Sequence, residues 1–218
     1  MITLLTTTYN RPQFLWHCAV GIIKQLLPPK EWIIYVDDDF NIYAEVLDKI
    51  LRIIPYAKVL GGTHIGRVAA LYNAHHHVET DYCGWVDDDD WLHPNCLAEC
   101  SKFDADIIYT DFYEVHPSKI TIGIRNTEPF TMKRMLENNI LFHFRLFKTA
   151  LYHKVGGIDL SYDTSMDYEL SLKMLQYCTP HKVNIPLYYY LIHGNRISAL
   201  YSDRQIINKN RARLLWKS

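Results

Sequence analysis

Apolar and polar positions along the first half of the chain fall into blocks with two alternating periods. Ile2 to Thr7 is a short, β-branched apolar run, ended by the turn residues Tyr9-Asn10-Arg11-Pro12. Phe14 to Leu26 has helical spacing until Pro28-Pro29 stops it. The pair then repeats. Trp32 to Val36 predicts a buried strand, and Tyr43 to Ile54 a helix with Leu47, Ile50, Leu51 and Ile54 on one face. Lys58 to Leu60, closed by Gly61-Gly62, and Gly66 to Val78 give the third strand and helix, and Tyr82 to Val86 the fourth strand. Strands alternating with helices of this length predict an α/β fold: a Rossmann-like, mostly parallel central sheet with helices on both faces.

The second half is less regular. Asp106 to Tyr109 continues the sheet, Phe112 to Ile124 alternates as a hairpin does, and Phe130 to Glu137 reads as a short helix. Leu141 to Phe147 is strand-like, and Ser165 to Tyr177 is a helix with Leu170, Met174 and Tyr177 on one face. Val183 to Ile192 is strand-like but broken by Pro186. No linker, repeat or low-complexity segment divides the chain, so one domain is expected over 1–218, ending in a helix at 201–218.

Composition narrows the function. Hydrophobic residues make up 49% of 218 residues, enough for a sizeable core and against disorder. A net charge of −1 argues against a nucleic-acid binder, which needs a basic face. Arg204, Lys209, Arg211, Arg213 and Lys217 make the last helix basic. That pattern predicts a solvated amphipathic helix, with peripheral contact to a membrane surface as the alternative. Five cysteines, odd in number and without a close-spaced framework, predict reduced thiols in a cytoplasmic protein. No apolar run reaches membrane-spanning length and no leader opens the chain, so a soluble protein is expected. Oligomeric state is not legible.

The chemistry concentrates at two strand ends. The second strand runs into Asp37-Asp38-Asp39 and the fourth into Asp87-Asp88-Asp89-Asp90. In a parallel sheet both sets point to the carboxyl rim, where open α/β sheets bind ligands. Four adjacent carboxylates repel one another unless a hard cation, Mg²⁺ or Mn²⁺, neutralises them. Neither GxGxxG nor GxxxxGK[ST] is present, so the glycine cradle is not the phosphate device. A metal bridging carboxylates to a departing nucleoside diphosphate does that work instead. Asp90 is expected to serve the amino end of the helix near Pro94 and Leu97. His75-His76-His77, three neighbours on a helix, point in different directions and are expected to be solvated. Tyr188-Tyr189-Tyr190 reads as core and sheet face.

These residues carry a resemblance. Thr7-Thr8-Tyr9-Asn10-Arg11-Pro12, Val36-Asp37-Asp38, Gly66-Arg67-Val68-Ala69-Ala70-Leu71-Tyr72-Asn73, Asp87-Asp88-Asp89-Asp90-Trp91 and Gly156-Gly157-Ile158-Asp159 with Met166-Asp167-Tyr168-Glu169-Leu170 resemble, in order, the motifs of family-2 glycosyltransferases. The resemblance spans about residues 2 to 200. It departs at Asp39-Phe40, where the family writes Gly-Ser, and at Met166, where it writes Glu. It implies a GT-A fold with a nucleotide-sugar-binding half at 1–103 and an acceptor-binding half at 104–200. It further implies inverting, metal-dependent transfer of a sugar, a hexose or deoxyhexose by default, from a UDP-sugar to a hydroxyl of a glycan or other acceptor. Thr8, Tyr9 and Asp38 then contact the base, with Arg11 and Trp91 also in the substrate set and Arg67 near base or phosphates. Asp87 holds the ribose, and Asp89, with Asp88 or Asp90 in support and Asp87 and His193 as further ligands, ligates the metal. Arg196 meets phosphate, and Asp167 is the general base, with Glu169 and Asp163 as rivals. A sugar-phosphate nucleotidyltransferase and a non-catalytic nucleotide-sugar-binding module are the alternatives.

Overall fold

The computed structural model describes residues 1–116, 119–123, 129–141, 143–194 and 202–217. Its first half follows the alternating pattern: β1 (Ile2–Thr8), α1 (Pro12–Ile23), β2 (Glu31–Val36), α2 (Phe40–Ile53), β3 (Ala57–Gly61), α3 (Arg67–His75) and β4 (Tyr82–Trp85). Local chemistry sets several boundaries. Pro12 opens α1, where its missing N–H costs nothing, and Asp39 caps α2 by accepting from the Asn41 amide. Asp39, which replaces the family's small residue, therefore acts as a helix cap.

The second half comprises β5 (Trp91–Leu92), α4 (Cys96–Cys100), β6 (Ile107–His116), β7 (Lys119–Gly123), α5 (Met132–Glu137), β8 (Arg145–Lys148), α6 (Thr149–Lys154), α7 (Met166–Met174), β9 (His181–Leu191) and α8 (Ser202–Lys217). All nine strands described join one sheet in the order β3-β2-β1-β4-β8-β6-β9-β5, with β7 on β6. The first four run parallel, β8 is antiparallel to β4 and β6, and β9 returns parallel to β6. Pro186 does not break β9. It pairs with Asp111 at a register shift, where a bulge absorbs the missing donor.

Two cores lie on the two sheet faces, as strand periodicity requires: Leu4 and Ile34 enter one, Leu5 and Ile33 the other. Gly21 lets α1 press directly on β5, since a Cβ there would stand 2.7 Å from Trp91 Cβ and 2.8 Å from the Leu92 nitrogen. The five cysteines are unpaired, four of them buried. Among the described residues no helix is long and apolar enough to cross a membrane. Helix α8 lies against α7: Asn208 bonds Asp163 and Thr164, and Ile206, Ile207 and Leu214 remain exposed. Of the three adjacent histidines, His76 and His77 are exposed as expected, but His75 is not. It accepts a 2.8 Å bond from Trp85 Nε1 and stacks on Tyr152 with ring centroids 4.0 Å apart.

Candidate active site

Because β1 lies between β2 and β4 and runs parallel to both, its carboxyl end stands between the two aspartate clusters. The turn after β1 is bonded to each. Asn10 donates its amide to Asp38 Oδ2 at 3.0 Å, and Thr8 Oγ1 bonds Asp88 Oδ2 at 2.7 Å. Arg11 Nη1 reaches Asp89 Oδ2 at 2.7 Å and Asp88 Oδ1 at 3.5 Å. The Tyr43 hydroxyl accepts the Arg11 amide at 3.0 Å, which fixes where that guanidinium starts.

Asp37, outside the expected set, is buried and structural. Its Oδ1 accepts the amides of Ile65 and Gly66 at 2.6 and 3.2 Å, fastening the start of α3 to the end of β2. Gly66, with φ +91°, gives the turn its shape. The fastening sets Arg67, whose Nη2 donates to Asp87 Oδ1 at 2.7 Å. Tyr9, about half exposed, stacks on His64 with centroids 4.1 Å apart, and His64 Nδ1 lies 3.1 Å from the Asp37 carbonyl oxygen.

The four consecutive aspartates occupy four different environments. Burial raises Asp87, but Arg67, with His143 and Arg145, outweighs it and holds the carboxyl below its ordinary range. Burial and the neighbouring Asp89 push Asp88 up to about 7 against the pull of Thr8 and Arg11. Asp90 is fully buried, and burial with Asp89 and Asp87 raises it well above the ordinary carboxylate. It does not serve the helix near Pro94, as its position suggested. Its Oδ2 accepts from the Tyr188 hydroxyl and its Oδ1 from the Leu191 amide, both at 2.8 Å, so it joins β9 to the loop. The Tyr188 hydroxyl also accepts the Asp87 amide at 3.2 Å.

The cluster fits a divalent cation. Asp88, Asp89 and Asp90 are buried within one short loop, each raised or crowded by burial and its neighbours, and their hard oxygens suit Mg²⁺ or Mn²⁺. His193 Nε2 stands 2.9 Å from Asp89 Oδ2, on the oxygen that Arg11 also holds. Asp87, Asp90 and His143 each place one ligand atom within 4.8 Å of the others. Burial lowers His143 to about 4, keeping its imidazole neutral. Its ring stacks on Tyr188 at 4.8 Å.

Asp167 lies in the first turn of α7 and is near enough for its charge to act on Arg67 and His143. Of the other two carboxylates considered, Glu169 pairs with Lys173 at 3.2 Å and Asp163 with Arg204 at 3.1 Å. Trp91 stacks on Tyr189 at 5.4 Å, on the opposite face of β9 from the Tyr188 phenol that meets Asp90. Arg196 lies outside the described residues. Sequence reasoning passed over His143, Asn139 and Arg145. None sits in a motif, and only the return of β8 beside β4 brings them to the rim.

Comparisons with known proteins agree with this architecture. Chondroitin synthase of Pasteurella multocida (strain Pm70) is 24% identical over 212 residues, which is 94% of this chain but 22% of that protein. The chain thus spans about a fifth of the length of that relative. Among solved structures, TarS 1-349 of S. aureus superposes with a TM-score of 0.77 at 16% identity, covering 99% of this chain and 64% of that one. The mannosyltransferase PcManGT from Pyrobaculum calidifontis, in complex with GDP-Man and Mn²⁺, gives 0.69 at 14% identity over 94% of this chain and 60% of that one. These neighbours share the GT-A fold expected from the motifs. The family model described as glycosyl transferase family 2 matches residues 3–156, so the chain belongs to glycosyl transferase family 2.

Proposed function

We propose that this chain transfers a sugar from a nucleotide-diphospho-sugar to an acceptor hydroxyl, with inversion and with the help of Mn²⁺ or Mg²⁺. The observation that carries the reading is the convergence of Asp87–Asp90, Arg11 and Arg67 on one sheet rim within electrostatic reach of Asp167. TarS has been solved in complex with UDP-GlcNAc, and a glycan synthase is among the relatives, so a UDP-sugar and a glycan acceptor are the substrates of choice.

In this reading residues 1–103 bind the donor. Thr8, Tyr9 and Asp38 surround the base, with Trp91 in the wider substrate set. Asp87 takes the ribose, Arg67 serves the base or phosphates, Arg11 belongs to the substrate set, and Arg196 is assigned to a phosphate. Asp89, Asp87 and His193 hold the cation, with Asp88 in support. When bound there, the cation would supply positive charge against the diphosphate leaving group. Arg67, whose ion pair with Asp87 makes it a still weaker acid than usual, keeps its charge throughout. Residues 104–200 hold the acceptor. Asp167 removes the proton from the acceptor hydroxyl as that oxygen attacks the anomeric carbon from the face opposite the leaving group. A positioned base of this kind contributes on the order of 10²–10⁴-fold. The unpaired cysteines suit a cytoplasmic setting, and the basic residues of α8 suit contact with an anionic surface.

The test is incubation with Mn²⁺, a panel of nucleotide sugars and glycan acceptors, recording free nucleoside diphosphate, pyrophosphate and heat of binding. Diphosphate release coupled to glycan extension is expected. Pyrophosphate release from a nucleoside triphosphate would identify a nucleotidyltransferase, and binding without turnover a non-catalytic module.

A further inference from the structure

Asp167 is held by two side chains, Asn139 from the segment between α5 and β8 and Arg145 from the start of β8. Asn139 Nδ2 donates to its Oδ2 at 3.2 Å, and Arg145 Nη1 stands 3.5 Å from the same oxygen. Arg145 is itself fixed. Its side chain is 9% exposed, its Nη1 donates to the Leu141 carbonyl oxygen at 2.5 Å and to Ser171 Oγ at 3.3 Å, and its guanidinium lies 5.7 Å from the Trp85 ring. Ser171 Oγ in turn donates to the Asp167 carbonyl oxygen at 2.7 Å. The guanidinium thus grips Asp167 at the carboxylate directly and at the backbone through Ser171. A guanidinium this deep in the protein is costly unless a carboxylate faces it.

We infer that Arg145, with Asn139, is the positioning residue of the transfer reaction: the pair immobilises Asp167 through Oδ2 and leaves Oδ1 as the atom that takes the acceptor's proton. The inference rests on the role given to Asp167 above. A carboxylate free to rotate about its Cβ–Cγ bond presents either oxygen at varying angles. One clamped on one side presents a single oxygen in one direction, and misplacement by about 1 Å can cost on the order of 100-fold in rate. Arg145 also suits this task by location. Its neighbour Leu146 pairs with Gly84 in β4, three residues before Asp87, so the clamp is built on the sheet that carries the donor site.

The test uses the donor–acceptor pair that turns over in the panel above and four variants: Asp167→Asn, Arg145→Ala, Asn139→Ala and Arg145→Ala with Asp167→Asn. Arg145→Ala is expected to lower kcat about 10–100-fold, to leave the Kd for UDP with Mn²⁺ and the donor KM within about threefold of wild type, and to recover rate on addition of methylguanidinium. Asn139→Ala is expected to shift the same quantity in the same direction by less. In the Asp167→Asn background, removing Arg145 should cost nothing further. Wild-type kcat in both Arg145→Ala and Asn139→Ala, while Asp167→Asn is inactive, would overturn the positioning role and leave the function standing. So would a full, additive loss in the double variant. Wild-type kcat in Asp167→Asn would overturn the base itself. If Arg145→Ala does not fold, Asn139→Ala and its double variant with Asp167→Asn decide the matter by the same criteria.

Discussion

His75 provides a stability test whose size follows from its surroundings. It is 3% exposed, its Nε2 accepts from Trp85 Nε1, and its ring lies on Tyr152, so burial lowers its pKa from 6.5 to about 3. Below pH 6.5 the unfolded chain binds this proton and the native chain does not. Stability is therefore complete above about 6.5 and lost as pH falls towards 3. At pH 5 the loss is about 1.5 pH units at 1.36 kcal/mol each, roughly 2 kcal/mol. For a domain of this size that corresponds to about 4–8 °C in Tm. Asp88 works in the opposite direction: it is raised to about 7, so between about pH 4 and 7 its native-state proton stabilises the fold as pH falls. The absolute slope of the wild type is consequently not the measure. Thermal melts in EDTA at pH 5 and 7 should instead be compared with those of His75→Gln, which keeps an acceptor for Trp85 and has no proton to bind. The variant should lose about 2 kcal/mol less than the wild type between the two pH values. Parallel Tm-against-pH curves for the two proteins would refute the buried, neutral imidazole.

Other predictions concern the rim. Tyr188→Phe should cost about 2–3 kcal/mol, because it removes one bond to buried Asp90 and orphans the Asp87 amide; denaturant melts measure this, and an unchanged midpoint argues against the phenol as a structural tie. Asp89→Ala should abolish Mn²⁺-dependent UDP binding in calorimetry, whereas Asp167→Ala should spare binding and stop transfer. Adding Mn²⁺ at 100 times its Kd should raise wild-type stability by about 2.7 kcal/mol, and Asp89→Ala should lose that increment; equal shifts in both proteins would place the cation elsewhere.

The first half was legible because each βα unit carries its own periodicity, and its observed boundaries depart from the pattern by three residues or fewer at each end. The strand ends gave away the rim for the same reason: in a parallel sheet the direction of one strand fixes which end of its neighbours is shared. The second half depends on pairings remote in sequence. Pro186 looked like a strand breaker until β6 supplied a bulge to receive it. Asp90 reads in sequence as a carboxylate at the amino end of the next helix, and only the phenol of Tyr188, 98 positions away, gives it its observed role. The same holds for Arg145. An isolated arginine in a strand has no periodic signature, and its meaning comes from α7 packing over β8.

The Tyr188 bond also bears on how the molecule moves. Its ring belongs to β9, yet the groups it ties down belong to the loop after β4. Strand β9 and the loop after β4 are therefore coupled, because parting them would break both bonds and deprive buried Asp90 of a donor. A fragment ending at residue 103 would carry every aspartate of the rim loop and still lack the phenol that bonds Asp90 and the Asp87 amide.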